Sequence, residues 1–434
     1  MRYYSTNKKA PVTSLRDAII KGLAPDKGLF MPEYIKPMSE EFFNSITGMS
    51  FQEMSYEVAK AFFGEDITME ELKRIVYETL SFDCPVVHVN GKVWSLELFH
   101  GPTLAFKDVG ARFMARMLRY FLHDKKVNVL VATSGDTGSA VANGFLCVEG
   151  IRVFVLYPKG KVSKIQECQF ANLGKNITAL EVDGNFDDCQ AMVKEAFSDT
   201  GLTKQMSLTS ANSINTARFL PQAFYYFYAY AQMKRQGNAD HLTVCVPSGN
   251  FGNLTAGLIA QRMGLPIKRF IAANNANNVF LKYLRSGKYT PCQSIQTIAN
   301  AMDVGAPSNF ARILDLFNNS HKDITELISG ASYSDEQIKE AIAECYKKYN
   351  YILDPHGACG WLAINNNIKE DETGLFLETA HPAKFKNVVE EAINTEIKIP
   401  ERLASFMNGH KMSIPMTNRF EDFKRFLTSH AYTR

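Results

Sequence analysis

The chain has 434 residues, 46% of them hydrophobic and 21% charged, with a formal net charge of +3. This is the balance of an ordinary globular protein, with material for two or three domains and large cores. Near-neutrality over such a length excludes any strong case for a nucleic-acid or polyanion partner. The start, "MRYYSTNKKAP", lacks the apolar core of a signal peptide. The most apolar long stretch, "FLPQAFYYFYAYAQM", is short of a membrane span and carries a proline and two glutamines. The eight cysteines show no CxxC pair and no metal-finger spacing. They read as reduced thiols of a cytoplasmic protein.

Residues 1–83 read as mostly helical. "TSLRDAIIKGL" places Leu15, Ala18, Ile19 and Leu23 at helical spacing, with Ser14 and Asp17 set for a capping box. "SFQEMSYEVAKAFFG" repeats the pattern with Phe51, Met54, Val58 and Phe62, and Gly64 as the stop. "CPVVHVNGKVWSLELF" predicts a hairpin turning at Asn90-Gly91. The first domain boundary falls there.

From residue 107 the pattern becomes strand then helix, repeated. "VNVLVAT", "IRVFVLYP", "NITALEVDG", "LTVCVPS", "PIKRFIAANN" and "TGLFLETA" are short apolar runs suited to buried strands. Such alternation predicts parallel sheets covered on both faces. The stretch is too long for one unit, so two α/β domains with a cleft are expected after a mainly helical N-terminal domain. The segments are 1–92, 93–236 and 237–434.

In such sheets ligands bind at the carboxyl ends of the strands. Two loops stand there: Ser134-Gly135-Asp136-Thr137-Gly138 and Ser248-Gly249-Asn250-Phe251-Gly252-Asn253. Each lies between a strand and a helix, where close-approaching backbone N–H groups and the helix dipole favour an anion. Neither is a Walker A sequence or a GxGxxG dinucleotide loop. A third feature is Lys107, which opens a helix after Leu104-Ala105-Phe106. A cation there meets the positive end of the helix dipole, which favours the neutral amine. A neutral lysine amine attacks carbonyls. Pyridoxal 5'-phosphate asks for such a lysine and a phosphate site, and an amino-acid substrate adds a carboxylate. One lysine and two anion loops match that demand.

The residues also carry a resemblance. "LELFHGPTLAFKDVGARFM", "ATSGDTG", "VPSGNFGN", "NAMDVGAPSNFARI" and "TAHPAKF", with the N-terminal "TSLRDAIIKGLAPDKGLFMPE", resemble the threonine synthase family in its longer branch. The likeness runs from about residue 3 to 390. It implies a fold type II pyridoxal-phosphate enzyme, like tryptophan synthase β, and a lyase of threonine biosynthesis. The implied reaction turns O-phospho-L-homoserine and water into L-threonine and phosphate. The resemblance implies that Lys107 is the Schiff-base lysine. It assigns the cofactor phosphate to Gly249, Asn250, Phe251, Gly252 and Asn253, and the pyridine nitrogen to Thr379. Ser134 and Thr137 would hold the substrate carboxylate. Asp136 stands where many relatives of this fold place an asparagine against the ring hydroxyl. Its carboxylate accepts from a protonated ring oxygen or is protonated itself.

The substrate phosphate needs its own pocket. Arg218 and Lys161 are the candidate cations, with Asn215 and Ser213 as neutral donors. His100 is either a further phosphate contact or a structural hydrogen bond. "DPHGACGW" reads as a packed turn before a helix, and "NVVEEAINTEIKIPERL" as a solvated helix and tail. No metal is implied. The competing reading is another fold type II lyase, a serine/threonine dehydratase or a phospholyase on a phosphorylated amino acid. The partner is a small molecule, not nucleic acid or membrane. Monomer and homodimer both remain open.

Overall fold

Every apolar run named above as a buried strand forms one, because a parallel strand inside an α/β sheet has no wet face. The molecule is described by a computed structural model covering residues 1–123 and 125–433. In chain order its strands begin with β1 (Arg2–Ser5), β2 (Thr13–Ser14), β3 (Phe30–Pro32), β4 (Val86–Asn90), β5 (Val93–Glu97), β6 (Val127–Ala132) and β7 (Ile151–Pro158). They continue with β8 (Ile177–Asp183), β9 (Leu208–Ser210), β10 (Leu242–Pro247), β11 (Ile267–Asn274), β12 (Ile328–Ser332), β13 (Thr373–Glu378) and β14 (Ile414–Thr417).

The chain divides into two units, each assembled from separated segments. The first holds Met1 and residues 31–106 and 219–398. Its sheet runs β12-β11-β10-β13-β5-β4. All pairs are parallel except the β4–β5 hairpin. Glu378 pairs with Glu97, and Pro247 with Ala273, so the carboxyl ends of the central strands lie along one edge. The second unit holds residues 2–30, 107–218 and 399 onward. Its sheet runs β14-β8-β7-β6-β9 and is parallel throughout.

The hairpin turn sits one residue later than expected. Asn90 pairs with Val93, so the loop residues are Gly91 and Lys92, and Gly91 takes a φ of 51°. The first helix, Leu15–Lys21, has Ser14 as its cap, accepting from the Asp17 N–H at 3.2 Å. The Asp17 carboxylate accepts from the Thr13 hydroxyl at 3.5 Å instead of closing the box. Ser50 and Glu53 form the full box on the helix Phe51–Phe63.

The carboxyl-terminal residues are more than a solvated tail. Val389 and Leu403 are fully buried, Ile393 and Ile397 nearly so. Beyond them, β14 adds an edge strand to the second sheet. Phe423 and Leu427, four residues apart on the helix Phe420–His430, then complete its core beside Leu180, Val182 and Met192. Among the described residues no helix is long and apolar enough to cross a membrane.

Candidate active site

In the first unit β10 ends at Pro247, and the Ser248 N–H donates to the Ala273 carbonyl at 2.8 Å. The chain then turns into the helix Gly252–Arg262 through Phe251, which holds a left-handed φ of 60°. That conformation costs a phenylalanine about 1–3 kcal/mol and persists only where its surroundings impose it. Those surroundings are the "NAMDVGAPSNFARI" segment. The Asn250 side-chain oxygen accepts from the Ser308 N–H at 2.6 Å, and its carbonyl from Asn309 Nδ2 at 2.9 Å. Arg312, fully buried and stacked over the Phe219 ring at 3.9 Å, donates to Asn309 Oδ1 at 2.6 Å. Burial pulls the Arg312 pKa down to about 9, so the guanidinium stays charged at neutral pH behind the loop. A Cβ on Gly249 would lie 2.7 Å from the Met302 Cα and 2.8 Å from the Ala301 carbonyl oxygen, so only glycine fits.

Asn253 carries the fit to a phosphate group. Its side-chain oxygen accepts from the Tyr225 hydroxyl at 2.8 Å and the Tyr226 hydroxyl at 2.6 Å. Tyr225 also reaches Gln222 Oε1 at 3.1 Å and Tyr226 the Asn253 carbonyl at 3.1 Å, so the two hydroxyls hold the amide without choosing between its two ends. The opposite end, Nδ2, has no hydrogen-bond partner among the described residues, and Asn253 is only 6% exposed. A buried donor left open costs about 1–3 kcal/mol unless a ligand takes it. The N–H groups of Gly252, Asn253 and Leu254 have no carbonyl four residues back within the helix. Together with the helix dipole they form a place for an anion.

At the end of β13 stands Thr379, buried, with its carbonyl accepting from the Phe106 N–H at 2.9 Å. The "TAHPAKF" residues clamp the loop before Lys107. Ala105 bridges Ala380, the His381 N–H donates to the Leu104 carbonyl at 3.0 Å, and buried Lys384 donates to the Thr103 carbonyl at 2.9 Å. Leu104 takes a φ of 57°, a second strained residue in the site. Lys107 is the next residue after Phe106, half-buried, and opens the helix Lys107–Leu122. Burial lowers the His381 pKa to about 4, with nearby His100 adding to it. His381 is neutral, and its Nδ1 accepts from the Ala383 N–H at 3.1 Å. His100 has a structural partner, with its Nε2 2.8 Å from Glu97. Glu97 also accepts from the Tyr351 hydroxyl at 2.9 Å.

In the second unit β6 leads through Thr133 and Ser134 into the helix Asp136–Gly144. The Thr133 hydroxyl oxygen accepts from the Gly135 N–H at 2.9 Å and the Gly138 N–H at 2.7 Å. Ser134 and Thr137 stand at the loop, and Asp136 is buried. Asp136 accepts from Gln166 Nε2 at 2.8 Å. Gly135 holds a φ of 142° with Gln166 packed against it, which no side chain would allow.

The turn after β9 carries Asn215 and Arg218. Asn215 donates to the Ile19 and Ser210 carbonyls at 2.9 and 3.3 Å and accepts from the Ala217 N–H, so its amide braces backbone. Arg218 is 3% exposed and donates to the Ala211 carbonyl at 2.9 Å. Burial lowers its pKa to about 10 while Asp108 draws it back up, and it remains a cation at neutral pH. Lys161 is exposed after β7.

The sequence alone points to neither Tyr225, Tyr226, Thr133 nor Gln166. Tyr225 and Tyr226 sit in a helix that is aromatic at every phase, where periodicity marks burial and nothing else. Thr133 is readable as the last residue before a glycine loop, where a hydroxyl suits a cap.

A glycine loop at a parallel-strand end, an open buried amide at a helix N-terminus and a lysine at a clamped loop define a pyridoxal-phosphate enzyme of fold type II. The family model described as pyridoxal-phosphate dependent enzyme matches residues 78–379. Models described as threonine synthase N terminus and threonine synthase, C-terminal, match residues 2–80 and 357–427. A threonine synthase of Haemophilus influenzae is 42% identical over 427 residues, covering 98% of this chain and 99% of that one. The crystal structure of threonine synthase from Escherichia coli superposes with a TM-score of 0.94 at 41% identity, covering 99% of this chain and 100% of that one. The pyridoxal-phosphate-bound threonine synthase of Brucella melitensis gives 0.93 at 34% identity, covering 99% of both chains. The chain belongs to the threonine synthase family.

Proposed function

We propose that this chain converts O-phospho-L-homoserine and water into L-threonine and phosphate, with pyridoxal 5'-phosphate as its cofactor. The observation that carries the reading is the Asn253 amide, held at one end by two tyrosine hydroxyls with its other end buried and unpartnered at a helix N-terminus. The cofactor, when bound, supplies an electron sink for the pair released at the substrate Cα.

The chain's own residues do the rest. Gly249 to Asn253 hold the phosphate through backbone N–H groups, the helix end and the Asn253 amide. The Thr379 hydroxyl would be the partner of the pyridine nitrogen. Being neutral, it does not enforce a proton there as a carboxylate would. Lys107 would hold the cofactor through its side-chain amine. The same amine would be the base that takes the proton at the substrate Cα and the acid that returns one. Asp136, which accepts from Gln166, would be the residue nearest the ring hydroxyl. Ser134, Thr137 and the open end of the helix Asp136–Gly144 receive the substrate carboxylate. Arg218 and Lys161 are the cations offered to the substrate phosphate. Asn215 joins them only if it gives up one of its backbone bonds. In the net reaction a proton leaves Cβ and its electron pair expels phosphate from Cγ, Cγ takes up a proton, and water adds its hydroxyl at Cβ. The eight cysteines, with no pairing spacing, support a cytoplasmic enzyme.

The test is phosphate release from O-phospho-L-homoserine, with threonine assayed in the same tube, for wild type and Lys107→Ala. Equal phosphate and threonine are expected, with turnover falling on the order of 10³-fold in the variant. Phosphate accompanied by a keto acid instead of threonine would make the chain a phospholyase.

A further inference from the structure

The first unit holds one buried polar chain without a task in the scheme above. It starts at Glu378, the residue before Thr379. The Glu378 side chain is fully buried, and its Oε1 accepts from the Asp354 N–H at 2.6 Å. Asp354 caps the helix Pro355–Asn367, accepting from the N–H groups of His356 at 2.8 Å and Gly357 at 3.2 Å. Asp354 also takes a short hydrogen bond from Nδ1 of His356. With its proton on Nδ1, His356 accepts at Nε2 from the Ala301 N–H at 3.2 Å. Ala301 and Met302 are the residues against which Gly249 packs without room for a Cβ.

We propose that Glu378, Asp354 and His356 are positioning residues that lock residues 301 and 302 against Gly249 and so set the cofactor-phosphate loop from the strand end that carries Thr379. The inference rests on the reading that Gly249 to Asn253 hold the cofactor phosphate. The device links the two ends of one ligand: a residue adjoining the pyridine-facing threonine is tied, through two side chains, to the backbone behind the phosphate loop. Each joint is specific. A Cβ on Gly357 would fall 1.5 Å from Glu378 Oε2, so glycine alone admits the carboxyl group. Burial, with the Asp354 charge adding to it, holds the Glu378 pKa well above the usual carboxylate range. Asp354 is the member of the chain that touches the imidazole and orients it. Such an aspartate–histidine pair fixes a tautomer, and here the acceptor it fixes faces a backbone N–H.

The test compares binding of pyridoxal 5'-phosphate and of pyridoxal, which lacks the phosphate, to the full-length chain stripped of cofactor. Affinities are read by absorbance and fluorescence. His356→Leu removes the acceptor and is expected to lower the preference for the phosphorylated form about tenfold. His356→Gln, which restores an acceptor near the Nε2 position, should bring it back to within about threefold of wild type. Should His356→Leu fail to fold, Ala301→Pro removes the donating N–H from the other side and should lower the preference to the same extent. Asn253→Ala serves as the reference for the loop itself. If Asn253→Ala lowers the preference while His356→Leu and Ala301→Pro leave it unchanged, the positioning role is overturned. Equal weakening of both ligands by His356→Leu and Ala301→Pro overturns it too. If Asn253→Ala itself leaves the preference unchanged, the assignment of the phosphate loop fails, and the inference with it.

Discussion

The two glycine loops share a local pattern, strand then Ser-Gly then helix, yet treat their backbone amides differently. In the second unit Thr133 reaches under the turn and satisfies Gly135 and Gly138 from within. That loop is self-supporting, and the groups it offers are mainly hydroxyls and the first helical N–H groups. In the first unit support comes from outside: from residues 301–312 behind the loop and from two tyrosines that hold Asn253. The far end of the Asn253 amide is left without a partner among the described residues. A loop braced by its own residues is stable by itself, whereas one braced from outside is open for a ligand and vulnerable to its supports.

Substitutions break this contrast in a graded way. Gly249→Ala should have the largest effect, because its new Cβ meets backbone atoms that no rotamer change can move. Overpacking of that kind costs about 3 kcal/mol, expected as a loss of cofactor affinity of about a hundredfold in an absorbance titration. Thr133→Val keeps the shape but strands two buried N–H groups. About 2 kcal/mol of stability should be lost in denaturant unfolding, with cofactor affinity unchanged. Equal cofactor loss in both variants would erase the distinction between the loops.

The smallest effect concerns the first unit's polar supports. His381, held at about 4, binds fewer protons folded than unfolded between pH 4 and 6.5. Stability from this residue therefore rises with pH through that window. Asp303, raised to about 6 by burial, binds more protons folded than unfolded between 3.8 and 6, and works in the opposite sense. The two oppose each other near pH 5. His381→Asn keeps an acceptor for the Ala383 N–H and removes one titration. The melting midpoint should then fall from pH 4 to 6 relative to wild type, a change on the order of 1 kcal/mol.

The readable parts of the fold are those that burial writes into the chain. β6, β7, β10 and β13 have parallel neighbours on both sides, and their apolar runs are unmistakable. β9, β12 and β14 are edge strands of sequence "LTS", "ISGAS" and "IPMT", whose half-wet sides carry too little pattern to be found. The site divides in the same way. Lys107 and both glycine loops are legible, because each breaks a local rule that only a ligand repairs. Tyr225, Gln166 and the partnership of His356 with Ala301 are not, since they act through contacts between residues 28 to 55 positions apart. Asn309 and Arg312 lie within a quoted motif, but nothing in their order tells that one holds the other beneath a loop.

The place of β13 has a consequence for synthesis. It lies between β10 and β5, although it is the last strand of its sheet to leave the ribosome. Until residue 378 has emerged, the β4–β5 hairpin has no neighbour in the sheet to join. Nascent chains must therefore hold residues 86–97 and 242–332 as two separate partial sheets, each with an unpaired edge where β13 will enter. The second unit has no such gap, since β6, β7, β8 and β9 are contiguous in its sheet and β14 only extends one side. During translation the first unit is the one exposed to mispairing, and it closes with the insertion of a single central strand.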